Sequence, residues 1–453
     1  MNAVEIARIV RKRSACPIVW GGVHPTVEQD STIASEWVDI IVVGEGEETF
    51  CDLVETLRKK KPLDTVNGII FKQNGRARKT PARGCYDLDK LPMLPLNLVN
   101  LTHYKEHFGL TRYFRFSSPV AVSIETSRGC THRCTYCVMA SKEYAARAKW
   151  RGMSAVKVAD VVQEIMGKYG IHAFAFVDDN FFVDMARVLD FLEEIERRPL
   201  NIEWFADIRM DTIVKNMDIP LLKRLESSGL RSVSVGIESG SNRMLKYLRK
   251  GETRETYIEA NKMLVATRIV PQYGFILGLP TERREDVEQS YALAVQLLKD
   301  NPNAAPTMNK LLPTPGTPLL EECVKHGFCP PDKLEDWVDY CDTKWKRGPT
   351  VWMDKDAARF IISQIYFHDL LTMVTAKPNK GRLQKFLLDC ATRLLLLRIK
   401  KQFHSMRIEQ AIHRLIRIPI LFRFIKRAYI FYLRSIKRPS GQASAKQVGA
   451  ALE

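Results

Sequence analysis

The chain has 453 residues, 45% of them hydrophobic and 27% charged, a balance that suits two or three globular domains and excludes a disordered polymer. It holds no run of about 18 uncharged apolar residues, so no membrane-spanning helix is expected, and its opening MNAVEIARIVRKR lacks the apolar stretch of a signal peptide, so a cytoplasmic location is expected. The net charge of +17 is local, with ten Lys and Arg against the single Glu409 between Lys401 and Arg438, which points to one basic surface element and speaks against a nucleic-acid partner.

Residues 1–90 alternate helix and strand. A basic helix over 4–13 leads to an apolar strand at 17–20, closed by Gly21-Gly22. A second strand at 39–43 runs into Gly44-Glu45-Gly46-Glu47-Glu48 and a helix through Leu57. Apolar runs bounded by glycine and separated by helices predict parallel strands of a doubly wound sheet, though two such units make only part of one. Residues 91–118, rich in proline at their start and without periodic runs, read as a linker.

Residues 119–320 keep a regular beat. Strand-like runs at 120–124, 173–177, 202–208, 233–237, 273–277 and 308–312 alternate with amphipathic helices at 155–169, 183–196, 219–228, 254–267 and 284–300. Right-handed parallel crossovers of this kind predict a partial (βα)6 barrel in an α/β chain, with its chemistry on the loops after the strands. From 321 to 439 the strand beat is lost and the chain reads as helical. Residues 440–453 are small and polar and read as a disordered tail.

After the first barrel strand comes Glu125-Thr126-Ser127-Arg128-Gly129-Cys130-Thr131-His132-Arg133-Cys134-Thr135-Tyr136-Cys137. Three thiols at this spacing can wrap one face of an iron–sulfur cluster from a single loop, and with no fourth cysteine nearby one iron stays open. Arg128 and Arg133 would offset the cluster's negative charge. A zinc site completed by His132 is the competing reading of the same residues.

Cys-x3-Cys-x2-Cys with an aromatic before the last cysteine resembles the signature of the radical S-adenosylmethionine (radical SAM) superfamily. The resemblance implies a 4Fe-4S cluster on Cys130, Cys134 and Cys137 whose open iron is chelated by S-adenosylmethionine, and an electron from the cluster that cleaves this cofactor to a 5′-deoxyadenosyl radical. It also implies that Tyr136 lies beside the adenine. Asp178, Asp179 and Asn180, after the second strand, would contact the methionine amino group, although a capping role in the next helix explains the two carboxylates as well. Arg209, after a strand that holds Trp204, suits a carboxylate partner or an ordinary salt bridge. Gly236-Ile237-Glu238-Ser239 resembles the family segment in which Glu238 and Ser239 approach the ribose or methionine. Gly274-Phe275-Ile276-Leu277-Gly278-Leu279-Pro280 resembles the family's adenine segment, with Gly274, Ile276 and Gly278 as its contacts. The match runs through about 200 residues in the expected order.

Ahead of the barrel, Trp20-Gly21-Gly22-Val23-His24-Pro25-Thr26 and Val42-Val43-Gly44-Glu45-Gly46-Glu47 resemble the end of a cobalamin-binding domain, in which glycines let backbone approach the cofactor's nucleotide tail. None of the nine histidines has an Asp two places before it, so the family's Asp-x-His-x-x-Gly ligand motif is absent. Cobalamin is thus expected by ancestry and not by inventory, and the start of the chain reads as truncated. The resemblance implies methyl transfer or oxidative cyclisation at an unactivated carbon of a small or lipid-like molecule, with a reductant such as flavodoxin or ferredoxin. A catalytically inactive or zinc-binding remnant of the same fold is the alternative. In 421–438 a basic stripe opposes Leu421, Phe424, Ile425, Tyr429, Tyr432 and Ile436, which suits a helix lying on an anionic membrane surface or one docked on the chain's own barrel.

Overall fold

The computed structural model describes residues 3–101, 114–145, 149–198, 200–337, 351–353, 358 and 361. The basic helix expected at 421–438 and the tail at 440–453 lie outside them, as does most of the helical region expected from 321 onward. No helix among the described residues is long and apolar enough to cross a membrane.

An amino-terminal lobe is built on four strands, β1 (Val19–Trp20), β2 (Ile40–Val42), β3 (Ile69–Gln73) and β4 (Arg76–Lys79), paired in that order. The first pair is parallel, as the glycine-bounded runs predict. The rest corrects the expectation of a purely parallel sheet, because β2 with β3 and β3 with β4 are antiparallel. For β3 with β4 the cause is local: Asn74 and Gly75 take φ of 51° and 75°, the left-handed pair that closes a two-residue hairpin. The helix Glu47–Arg58 packs Leu53 against one face with Ile40, Val42, Ile69 and Phe71, while Ile41 and Ile70 point to the other.

The second body is a six-stranded, all-parallel open barrel. Its strands are β5 (Val122–Ile124), β8 (Ala173–Phe176), β9 (Glu203–Asp207), β10 (Leu230–Glu238), β11 (Val270–Leu277) and β12 (Ala305–Lys310), paired in chain order. A small antiparallel pair, β6 (Ser127–Arg128) with β7 (Arg151–Gly152), branches off after β5. The last strand ends two residues before the expected limit, although the Leu311 N–H still reaches the Leu277 carbonyl at 2.7 Å; Pro313 beyond it has no N–H to give a ladder. The helix Ala155–Tyr169 shows why the beat is regular. Ser154 accepts the Lys157 N–H at its start, Gly170 closes it at φ 62°, and Val158, Val162 and Ile165 bury one stripe.

One continuous apolar core lies between strands and helices. At its centre Trp204 is fully buried among Phe176, Phe181, Phe182 and Phe191, its indole N–H donating to Ser228 Oγ at 3.1 Å. The end of the segment read as a linker has a structural task as well. Phe114 and Phe116 pack on Ala173, Ala175 and Phe205 along the inner face of the strands, and Ser232 donates to the Phe114 carbonyl at 2.7 Å.

Candidate functional site

The cysteine loop begins where β6 leaves the barrel, and two carboxylates from the end of β8 shape its entry. Asp178, only 3% exposed, accepts the Thr126 N–H at 2.6 Å and the Thr126 and Ser127 hydroxyls at 2.7 Å each. Asp179 accepts the Gly129 N–H at 3.0 Å, where Gly129 turns with φ 88°. Burial raises both carboxyl pKa values, against the hydrogen bonds that lower them. Neither caps the next helix: Asp184 does, and Asn180 turns its side chain to the Phe182 N–H.

Cys134 is buried, and Cys130 and Cys137 are half-buried. Burial raises the Cys130 thiol pKa and pushes that of Cys137 up to about 11. The loop is pinned by the Cys137 N–H to the Cys134 carbonyl and by the Thr135 N–H to the Leu248 carbonyl. Among the described residues, no three or more His, Cys, Asp or Glu side chains stand together as a metal-ligating group. The loop's fit to a cluster therefore rests on its donor chemistry, three soft thiols on one turn. His132 carries a lowered pKa, first from burial and then from the charge of Arg209.

The two arginines beside the thiols are held by different groups of the protein. Arg128 turns to the amino-terminal lobe, where it meets Glu45 at 3.1 Å and Glu47 at 2.6 Å, besides Glu125 at 2.7 Å. Arg133 donates to the Cys130 and His132 carbonyls. Arg151 pairs with Glu45 from β7. The glycine–glutamate loop after β2 thus spends two carboxylates on fastening the strand that leads to the cysteines.

At the far side of the loop stands Glu238, the last residue of β10. It sits at φ 64°, beside a register shift, with its carboxylate folded back over Gly236; a Cβ on that glycine would come within 2.0 Å of Glu238 Oε1. The same oxygen accepts the Tyr136 hydroxyl at 2.7 Å and faces the Lys250 ammonium at 3.4 Å. Arg209 is buried and committed: it pairs with Asp211 at 3.0 Å and Glu252 at 3.4 Å and donates to the Lys250 carbonyl at 2.8 Å.

Gly236 and Gly274 are register partners on β10 and β11, which leaves bare backbone next to Glu238. Tyr136 and Ile276 join one apolar cluster with Leu248, Leu279 and Leu311. Gly278, at φ 86°, donates its N–H to Glu282 at 2.6 Å and accepts the Trp352 indole N–H at 2.9 Å. Ser239 is turned away, its hydroxyl 3.1 Å from that of Ser290 on the helix Arg284–Asp300.

Four groups escaped the sequence reading. Lys250 and Glu252 lie on a short loop with no motif. Asp207 ends β9, and burial pushes its carboxyl up to about 6. Glu282 holds the Gly278 and Leu279 amides, and burial pushes its pKa up to about 8. The signal available for Asp207 was its place at the carboxyl end of a barrel strand.

The sequence pattern described as the radical SAM superfamily matches residues 124–294. An uncharacterised methyltransferase of Pyrococcus horikoshii is 32% identical over 330 residues, covering 72% of this chain and 67% of that protein. An anaerobic magnesium-protoporphyrin IX monomethyl ester cyclase of Synechocystis is 31% identical over 275 residues, with 60% of this chain and 52% of the cyclase covered. The chain thus spans about half the length of that cyclase. Among solved structures, cobalamin-dependent OxsB with aqua-cobalamin and S-adenosylmethionine bound superposes with a TM-score of 0.62 at 18% identity, over 96% of this chain and 70% of OxsB. The methyltransferase TsrM of Kitasatospora setae gives 0.55 at 22%, over 71% of this chain and 60% of its own. These two likenesses establish a shared fold. With the family pattern laid over the strands that carry the cysteine loop and Glu238, and a relative 32% identical across 67% of its length, the chain belongs to the radical SAM superfamily.

Proposed function

We propose that this chain is a radical SAM enzyme that holds a 4Fe-4S cluster on Cys130, Cys134 and Cys137 and binds S-adenosylmethionine across the carboxyl ends of its barrel strands. The observation that carries this reading is the 2.7 Å hydrogen bond from Tyr136, inside the cysteine loop, to Glu238 at the end of β10. It joins cluster donors and a carboxylate fit for a ribose diol in one network. When bound, the cluster supplies the electron for reductive cleavage of the cofactor. The protein's own groups bind and orient. Asp178 and Asp179 hold the loop entry, Tyr136 and Ile276 offer an apolar wall for a flat base, and the paired Gly236 and Gly274 let a ligand approach backbone.

The substrate class we infer is a small or lipid-like molecule with an unactivated carbon, taken through methyl transfer or oxidative cyclisation. The methyltransferase and cyclase relatives support both, and a flavodoxin- or ferredoxin-type reductant would feed the cluster. Cobalamin enters only as a candidate second cofactor of the amino-terminal lobe, supported by the glycines after β1 and β2 and not by any Asp-x-His motif. The test is anaerobic reconstitution with iron and sulfide, then reduction in the presence of S-adenosylmethionine. About four irons per chain and release of 5′-deoxyadenosine are expected, with Cys134→Ala losing both. Full iron loading in Cys134→Ala, or stoichiometric zinc in place of iron, would overturn the proposal in favour of a zinc-holding relative of the fold.

A further inference from the structure

Behind the Tyr136–Glu238 hydrogen bond lies a group of buried charges. Lys250 is 5% exposed, Glu252 4%, Glu238 6% and Arg209 7%. The Lys250 ammonium stands 3.2 Å from the Tyr136 hydroxyl, 3.4 Å from Glu238 Oε1 and 3.7 Å from Glu252, and lies over the Tyr136 ring at 5.9 Å from its centroid. A lysine is seldom this buried, because its ammonium loses hydration that only well-placed partners replace. Structural neutralisation needs one carboxylate. This ammonium instead touches three groups at once, from the cysteine loop, the end of β10 and its own loop.

The loop that carries it is fixed from both sides. Leu248 accepts the Thr135 N–H at 2.9 Å, and the Lys250 carbonyl accepts Arg209 at 2.8 Å. Gly251 lets the loop turn at φ 73°, with Arg209 3.7 Å from where its Cβ would be. Arg209, itself paired with Glu252, therefore holds the backbone of Lys250, while the Lys250 side chain bridges the two elements on which cofactor binding depends. Glu238 itself is in a left-handed conformation that non-glycine residues hold only when their surroundings enforce it.

We propose that Lys250 is a positioning residue for S-adenosylmethionine, its ammonium fixing the Glu238 carboxylate and the Tyr136 phenol in one arrangement so that the cysteine loop and the end of β10 receive the cofactor as a unit. The inference rests on the reading above that this site binds S-adenosylmethionine. It makes Tyr136, Glu238 and Lys250 energetically coupled, so that removing any one loses most of what the trio provides.

The experiment measures the S-adenosylmethionine dissociation constant by equilibrium dialysis on the full chain after cluster reconstitution, with iron content and melting temperature taken on the same samples. Lys250→Met is expected to bind about tenfold more weakly at unchanged iron loading, the loss typical of a charge-assisted hydrogen bond. Lys250→Arg should regain most of that affinity, and the double variant Lys250→Met with Glu238→Gln should bind no more weakly than Glu238→Gln alone. Affinity within about twofold of the parent in Lys250→Met, or losses that multiply in the double variant, would overturn the inference. If Lys250→Met does not fold, Lys250→Gln replaces it in the same cycle with Glu238→Gln: losses that do not multiply support the inference and losses that multiply overturn it. A parent protein that loads iron fully yet fails to bind S-adenosylmethionine would overturn the underlying reading, an outcome distinct from failure of Lys250 alone.

Discussion

The barrel strands pack one face on a large continuous apolar core and carry only a small cluster on the other, whereas the amino-terminal sheet divides its apolar side chains between two small clusters on opposite faces. One of those clusters is completed by Leu334, from beyond the last barrel strand, and Ser35 beside it donates to Glu335 at 2.6 Å. The barrel is thus stabilised from within, while the lobe leans on groups that the rest of the chain supplies. The polar contacts point the same way, since Arg128 and Arg151 reach across to Glu45 and Glu47. A cavity of about 730 Å³, lined by Glu47, Cys51, Arg83, Pro92, Met93 and Arg128 among others, lies between the two bodies beside these ion pairs. The difference teaches that the lobe acts as a brace for the cysteine loop, whatever else it binds.

Three measurements would break or sharpen this contrast. The largest effect belongs to the barrel core. Trp204→Ala should cost about 3–5 kcal/mol, because it empties a fully enclosed site and leaves Ser228 without its indole donor. Denaturant unfolding checks it, and a loss near 1 kcal/mol would mean that the core is not the single stabilising body described above.

Next comes the brace. Arg128→Met should cost about 2 kcal/mol, less than the 3–5 kcal/mol of a fully buried pair because Arg128 keeps 20% of its side-chain exposure. Limited proteolysis should cut the 83–101 segment sooner in this variant while the barrel resists. Unchanged cleavage and stability would show that packing alone holds the lobe.

The smallest effect, read per pH unit, is a pH dependence at the carboxyl end of the barrel. Glu282 has its pKa raised from an ordinary 4.5 to about 8, mainly by burial. Between those values the native state keeps a proton that the unfolded chain has released, so its contribution to stability falls as pH rises through this window. The slope is at most about 1.4 kcal/mol per pH unit. Glu282→Gln keeps an acceptor for the Gly278 and Leu279 amides and should flatten the decline between pH 6 and 8. Melting curves at several pH values that stay parallel for parent and variant would remove Glu282 from the account.

Much of the site was legible because its signals are local. Three cysteines within eight residues declare a ligand loop without reference to anything else, and glycines or carboxylates at strand ends announce loops where backbone or charge meets a ligand. The Asn74-Gly75 hairpin signal is equally local, but the alternation of helix and strand around it favours a parallel reading. The capping alternative for Asp178 and Asp179 failed for a reason no sequence pattern carries: Thr126 and Ser127, about fifty residues upstream, claim Asp178 first.

By itself, the sequence determined the order of barrel strands, the thiol loop and the positions after each strand where chemistry collects, because hydrophobic period and short-range spacing specify these. Tertiary structure alone decided which charges meet. Tyr136 and Glu238 are 102 residues apart in the chain, Lys250 and Tyr136 are 114, and Arg128 and Glu47 are 81. Whether an arginine two residues before a cysteine serves a cluster or a neighbouring lobe depends on distances between such segments and on their burial. Coulomb and hydrogen-bond energies are functions of those distances, and spacing along the chain does not contain them.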